Sequence, residues 1–521
     1  MWIIHSLFLL LIFASPALAG DTHVCADCER ATVAQAISDA ADGDTITIPA
    51  DSCSWTSGVT VPDDENLTIT GAGAGSTVIT VSGEITAINM GETSSSLSGI
   101  TMKGSSSDIG IMPKGTGWKI FDCAFECTTA TKKFVAIQPQ GSATNLALQG
   151  VIFNNTFTNS RVVTVGSGQM LNAGNSQHTA WTRELGLGGV DAVYIEYNTF
   201  TLDNDRTGNV IDGNYAGAYV ARYNTIVRGT IEVHSVQGAN RAVRKWEIYN
   251  NLISNAGTSN WYPFFIRGGT GVIFNNSVSG TWDANKIAFD NVRSRPDYSG
   301  THDGENNASA LSDSGASFAS TDSTWNPGAL VMNITDGSEG ILTAMTAQTA
   351  TCELSGGTDN DWDTGDEYQI WRTALATVRP CDCSSDWDTN EDATGYLCRD
   401  QIGTGPDAVQ WEDNPAGANT QTKVPAYVWN NYYGETLMTV DVINDSGDHI
   451  QKDRDYFEAQ HPTYTCYDCP HPLTGLPGSC DPNVAGVAGY NVGIHTMTLG
   501  GAGTQTFTLG GAGTQTFTVS P

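Results

Sequence analysis

The sequence predicts an all-β fold, a right-handed parallel β-helix solenoid with an N-terminal capping helix and a small inserted β domain. Three observations carry that expectation. One pattern returns four times between residues 193 and 293: VYIEYNTF at 193–200, YVARYNTI at 219–226, WEIYNNLI at 246–253 and GVIFNNSV at 271–278. Taking Asn198, Asn224, Asn251 and Asn276 as the common point, the spacings are 26, 27 and 25 residues. A period of that size marks a stacked solenoid, in which each repeat buries its apolar face only against its neighbours. Within each copy apolar residues alternate with polar ones and are mostly β-branched or aromatic, which is strand chemistry. Leucine-rich repeats share the period but need Leu at fixed places, and these copies have almost none. The repeated Asn then has a physical role, since an amide stacked at one corner of successive coils can bond the amides above and below.

The elements follow in chain order. The opening MWIIHSLFLLLIFASPALAG is an apolar run ending in Ala17-Leu18-Ala19, the signature of a cleaved export signal over residues 1–19. No later stretch is long and apolar enough to span a bilayer, so the expectation is a secreted, periplasmic or cell-surface protein without a transmembrane segment. All 12 Cys lie beyond the signal, and an even count in an exported chain favours disulfides. CADC and CYDC have zinc or redox spacing but no matching framework, and Cys352 stands apart from the other groups. ATVAQAISDAADGDTITIP (31–49) reads as an amphipathic helix closed by Gly43 and followed by a strand at 45–48, suited to cap the open end of a solenoid. Irregular coils follow at SGITMKG, WKIFDCAF and GVIFNNTF; Asn155 matches the Asn pattern, and Cys123 takes that corner one coil earlier.

The helix, then GDTITIPA, then NLTITGAG (66–73) is similar to the opening of pectate-lyase-like right-handed β-helix proteins. DGNYAGAYVARYNT, RGGTGVIFNN, CRDQIGTG, VWNN, RDYF and PHPL together resemble a family of exported β-helix repeat proteins of environmental bacteria with no assigned activity. The resemblance covers most of 190–300 and 395–475 and implies the fold, not a reaction. The Ca²⁺-binding acidic cluster and catalytic Arg of pectate lyases do not match residue by residue, so no catalytic role is carried over.

The domain expectation is a capped β-helix over 20–300, then a small β domain over 301–372 built from short strands between Gly and Asp turns. A Cys-rich segment, the return to the β-helix and a C-terminal cap occupy 373–490, and a low-complexity tail with TLGGAGTQTF repeated fills 491–521. The return is read at AYVWNNYY (426–433).

Charge narrows the function. A net charge of −32 argues against nucleic acid as partner. Yet between Arg206 and Arg295 there are eight Arg and two Lys against five acids, whereas 296–400 holds 19 acids and three Arg. An acidic chain that keeps its Arg on the regular coils looks built to meet an anion, such as a uronic-acid or sulfated glycan. The second strands of those coils read NVIDG, TIEVHS, PFFIRG and KIAFDNVR. Aligned on Ile211, Val233, Ile266 and Phe289, they place Asp212, His234, Arg267 and Asp290 in one outward column, because alternate residues of a strand face opposite sides and coils stack about 4.8 Å apart.

Those four are the catalytic candidates. Three loops supply substrate-binding candidates: Trp181 and Arg183 (with His178) in the excursion 166–189, Arg241 and Arg244 in 235–246, and Trp261 and Tyr262 in 255–263. Arg222 and Glu232 on the coils complete the set. Elimination on a uronic acid needs charge neutralisation at the carboxylate, a base and an acid, which Arg267, His234 and a neighbour could supply. Two alternatives stand beside it. One is a non-catalytic surface or adhesion protein that holds anionic glycans. The other is an inverting hydrolase using Asp212 and Glu232, placed roughly 8 Å apart by this register. The sequence points to no definite cofactor; the acidic runs DNDWDTGDE (359–367) and DWDTNED (386–392) put carboxylates at alternate positions that can bind Ca²⁺, with Asp386, Asp388, Asn390 and Asp392 as candidate ligands. Oligomeric state is not readable.

Overall fold

The structure, a computed structural model, describes residues 20–141, 149–166, 180–184, 186–235, 241–291, 296, 298–318, 329–371, 400–407, 421–445, 449–476, 503–509 and 513–519. The leading 19 residues, His178 and the run from Asp386 to Asp392 lie outside them.

Three long sheets run side by side, with 12, 11 and 10 strands, and each coil contributes one strand to each. One coil shows the plan: Ala218–Arg222 joins sheet I, Thr225–Val227 sheet II and Thr230–Val233 sheet III. Neighbouring strands pair in parallel from coil to coil. Inward-facing Ile195, Ala221, Ile248 and Ile273 of sheet I meet Ile226, Ile253, Ile231, Val233, Ile266 and Phe289 in one continuous core. This is the parallel β-helix that the period predicts.

The corner between sheets I and II is the Asn ladder. Asn155, Asn198, Asn224, Asn251, Asn276 and Asn431 are all buried, and from Asn198 onward each side-chain oxygen accepts from the backbone N–H and side-chain N–H₂ of the Asn one coil below. Cys123 takes the corner beneath Asn155, its backbone N–H donating to Asn155 Oδ1 at 2.9 Å. The residue before each ladder Asn sits in the left-handed region, including Tyr197 at φ 56° and Tyr223 at φ 55°. Bulky residues adopt that region at a cost. The corner sets their backbone, and the buried amide bonds offset the strain.

The helix Arg30–Asp39 buries Val33, Ala36 and Ile37 at the N-terminal end, and a disulfide joins Cys28 to Cys53 beside it. Cys469 is also disulfide-bonded. After Ile287–Asp290 the chain leaves the stack, and Ala426–Trp429 returns to pair directly with Thr270–Phe274. Between them, strands from Tyr298–Thr301 to Glu367–Trp371 build a separate six-stranded antiparallel sheet. It has its own core of Leu311, Phe318, Val331, Leu342, Trp362 and Ile370. The repeats of the tail pair as two antiparallel strands, Gly503–Leu509 and Gly513–Val519. No helix among the described residues is long and apolar enough to cross a membrane.

Candidate active site

The outer face of sheet III carries the cluster, and its register corrects the expected alignment. Val233, Ile266 and Phe289 do pair in sequence. Ile211, however, pairs with Ile231, which puts Asp212 beside Glu232 and moves it two residues from the His234 row. A slip of two residues keeps every side chain on the same face, so apolar patterning cannot detect it. A bulge between Asn209 and Ile211 accompanies the shift.

The side chains nevertheless converge. Asp212 Oδ1 lies 2.7 Å from His234 Nδ1, which fixes the ring and leaves Nε2 as the free nitrogen when Nδ1 carries the proton. His234 Nε2 stands 3.8 Å from Glu232 Oε1, and the same oxygen accepts a short bond from Arg267 Nη2. Asn209 Nδ2 donates to Asp212 Oδ2 at 2.9 Å and to Glu232 Oε2 at 2.5 Å. Both carboxylates are buried, while the side chains of His234 and Arg267 keep 18% and 12% exposure. A proton-handling ring and a guanidinium thus meet at one carboxylate at the surface.

Two further cations complete the group, and sequence reasoning missed both. Arg161, on Ser160–Val165, donates from Nη1 to Asn209 Oδ1 at 3.0 Å and lies 3.9 Å from Asp212 Oδ2. Lys133 donates to the carbonyls of Thr207 and Asn209 and to Asn209 Oδ1. Burial, then the neighbouring Arg161, pull its ammonium down to about 8, with Glu232 and Asp212 opposing. Both cations sit on coils that enter sheet III below the regular repeats. Following SRVVTV (160–165) upstream across the excursion would have found Arg161.

Beside the ions lies an aromatic ledge. The Trp261 and Tyr262 rings each stand 6.1 Å from Phe265, and the Arg267 guanidinium covers Phe265 at 5.2 Å. Trp261 is 46% exposed. The Tyr262 hydroxyl donates to Asp441 at 3.3 Å, and its acidity is weakened by burial and then by Asp441.

The remaining candidates lie elsewhere. Asp290 keeps its place in the row, but its carboxylate accepts from Asn444 at 2.7 Å. Arg222 is fully buried, donating to Glu196, the Tyr249 hydroxyl and the carbonyls of Tyr467 and Asp468, which leaves it no surface for a glycan. Arg241 is buried against Asp400 through bonds of 2.8 and 2.6 Å, with Trp181 over its guanidinium. Trp181 is itself buried and donates to the Ala242 carbonyl, and Arg244 is buried on the Ala180 carbonyl. Arg183 is exposed in the described part of its loop. Arg222, Arg241 and Arg244 of the Arg-rich island therefore serve packing. A guanidinium can bond several backbone carbonyls at once, which suits it to fasten loops onto a coil.

Asp212, Glu232 and His234 offer ligand atoms within 4.8 Å of one another, a set able to hold a divalent ion. Arg267 on Glu232 and Arg161 near Asp212 already supply positive charge there, so the surroundings favour an anion over a cation. The same closeness falls short of the roughly 6.5–9.5 Å between carboxyl groups that inverting hydrolases use to leave room for water. Asp359, Asp361 and Asp363, in the acidic run before Glu367–Trp371 of the antiparallel sheet, form another such group.

No family model matches the chain, and no curated protein matches it. Among solved structures it is similar to the crystal structure of an alginate lyase from Paenibacillus sp. str. FPU-7, with 11% identity and a TM-score of 0.31 over 52% of this chain and 93% of that one. It is also similar to the complex of alginate lyase AlyF-OU02 with G6, with 15% identity and a TM-score of 0.29 over 55% of this chain and 65% of that one. Likenesses of that extent leave the chemistry to be read from the residues of the site.

Proposed function

We propose that this chain acts on an acidic polysaccharide by elimination, at the His234–Arg267 cluster on the outer face of sheet III. The observation that carries the reading is the sharing of Glu232 Oε1 by Arg267 and the His234 Nε2 edge, with Asp212 behind the ring. In the reaction Arg267 exchanges Glu232 for the substrate carboxylate and neutralises it, which acidifies the adjacent C–H. His234 Nε2 takes that proton, a C=C bond forms, the neighbouring C–O bond breaks, and the imidazolium returns the proton to the leaving oxygen. Asp212 holds the tautomer and stabilises the imidazolium. The disulfide beside the cap suits an exported protein.

The test is incubation with a panel of acidic polysaccharides, reading absorbance of unsaturated products and reducing ends separately. Both signals are expected together. Reducing ends without absorbance would replace elimination with hydrolysis, and binding with neither signal would make the protein an adhesin.

A further inference from the structure

Arg161 has few obligations within the fold. Its side chain keeps 30% exposure, its nearest carboxylate oxygen among the described residues is 3.9 Å away, and its Nε, though buried, has no hydrogen-bond partner among them. Its Nη1 shares Asn209 Oδ1 with Lys133 Nζ, so two cations gather on one neutral amide oxygen. Lys133 also meets the aromatic ledge. A Cβ on Gly208 would stand 3.0 Å from Lys133 Nζ and 3.8 Å from the Trp261 ring, so ammonium and ring close over a residue without a side chain. Gly208 has φ +87°, a second reason for glycine there.

We infer that Arg161, Lys133 and the exposed face of Trp261 form a second subsite, which takes the carboxylate and ring face of another uronate in the chain whose neighbour reacts at His234. The inference rests on the reading above and narrows its substrate to a run of uronates, in place of one acidic sugar among neutral ones. Arg161 and Arg267 belong to strands three ladder steps apart, roughly 14 Å between backbones. They approach the Asp212–Glu232 pair from opposite sides. A partly exposed guanidinium can bind a carboxylate, and a flat indole takes the C–H face of a pyranose. Asn209 positions both cations and touches both carboxylates of the reacting site, which couples the two places.

The experiment uses the full chain with manno-, gulo- and galacturonate oligomers of two and four units, followed by calorimetric binding and initial rates. The wild type should bind the tetramer of its preferred uronate about tenfold more tightly than the dimer, the span of one charge-assisted contact. Arg161→Ala should erase that preference, and its effect should fall more on KM for the polymer than on kcat. Should Arg161→Ala fail to fold, Arg161→Gln, which keeps the packing stem, is read in the same way. Equal affinity for dimer and tetramer, or a preference that survives the substitution, overturns the subsite and leaves the reaction standing. A wild type that binds none of the three uronates overturns both.

Discussion

Sheets I and III each carry a row of ionic side chains on the outer face, yet the two rows have opposite fates. On sheet I, Glu196, Arg222, Lys245 and Glu247 are buried beneath the segment 464–476 and the loop before Asp191. Glu196 accepts from Arg222 and from the His471 N–H. Glu247 accepts from the Tyr464 hydroxyl and the Gly188 N–H, and Lys245 donates to the Gly186 carbonyl. On sheet III, His234, Arg267 and Arg161 keep exposure, and the Nε atoms of both arginines lack partners among the described residues. Charge at coil spacing is therefore not a site in itself. It becomes a candidate for one where no other described segment claims the donors.

The contrast between the two rows can be broken at four points. The largest effect is expected on the covered row. Arg222→Ala strands a buried Glu196 and should cost about 3–5 kcal/mol, read from urea unfolding. A loss below about 1 kcal/mol would mean that sheet I is not sealed as described. Next comes the open row, where His234→Ala should lower turnover on the active polysaccharide by roughly 10³-fold with little change in unfolding.

Acid should separate the two faces. Burial, then Arg222, hold the His471 ring near pKa 4, below its ordinary 6.5. The folded state thus keeps it neutral while the unfolded chain protonates. The stability this gives is complete above pH 6.5 and is lost as pH falls through 4, by ~3 kcal/mol at most. Urea midpoints at pH 7 and pH 4.5 should show the fall, and His471→Gln should flatten it. The smallest effect is Arg161→Ala, exposed enough that unfolding should shift by less than about 1 kcal/mol. A larger loss would place Arg161 with the covered row.

The solenoid was legible because the ladder Asn recurs at the length of one coil, and a polar residue repeated inside an apolar pattern needs a partner of its own kind. The candidate site was legible in part. His234 and Arg267 followed from alternation along strands, and Glu232 entered through its carboxylate. The register of Asp212 did not follow, since a two-residue slip leaves facing unchanged. Lys133 and Arg161 were hidden because their coils precede the regular period. The buried roles of Arg222, Arg241 and Arg244 were hidden because the segments that cover them lie outside their own strands, those on Arg222 and Arg241 coming from 400 and 464–471, far along the chain. Local charge counts see composition, and they do not see what later folds over it.

The return of the chain at Asn431 bears on how the molecule tolerates being cut. Asn276 bonds Asn431 as it would an adjacent coil, at 2.8 Å, although 155 residues separate them. The last coils are thus held to the earlier ones by backbone pairing, the amide ladder, the core and the bonds of Asp400 to Arg241, and the covalent thread between 291 and 400 adds loop closure. Closing so long a loop costs a few kcal/mol and rises slowly with length. A single proteolytic nick in that thread should leave two fragments that migrate as one particle under native conditions and part only in denaturant. The same arithmetic makes this the point in the chain where foreign sequence of almost any length could be carried without disturbing the stack.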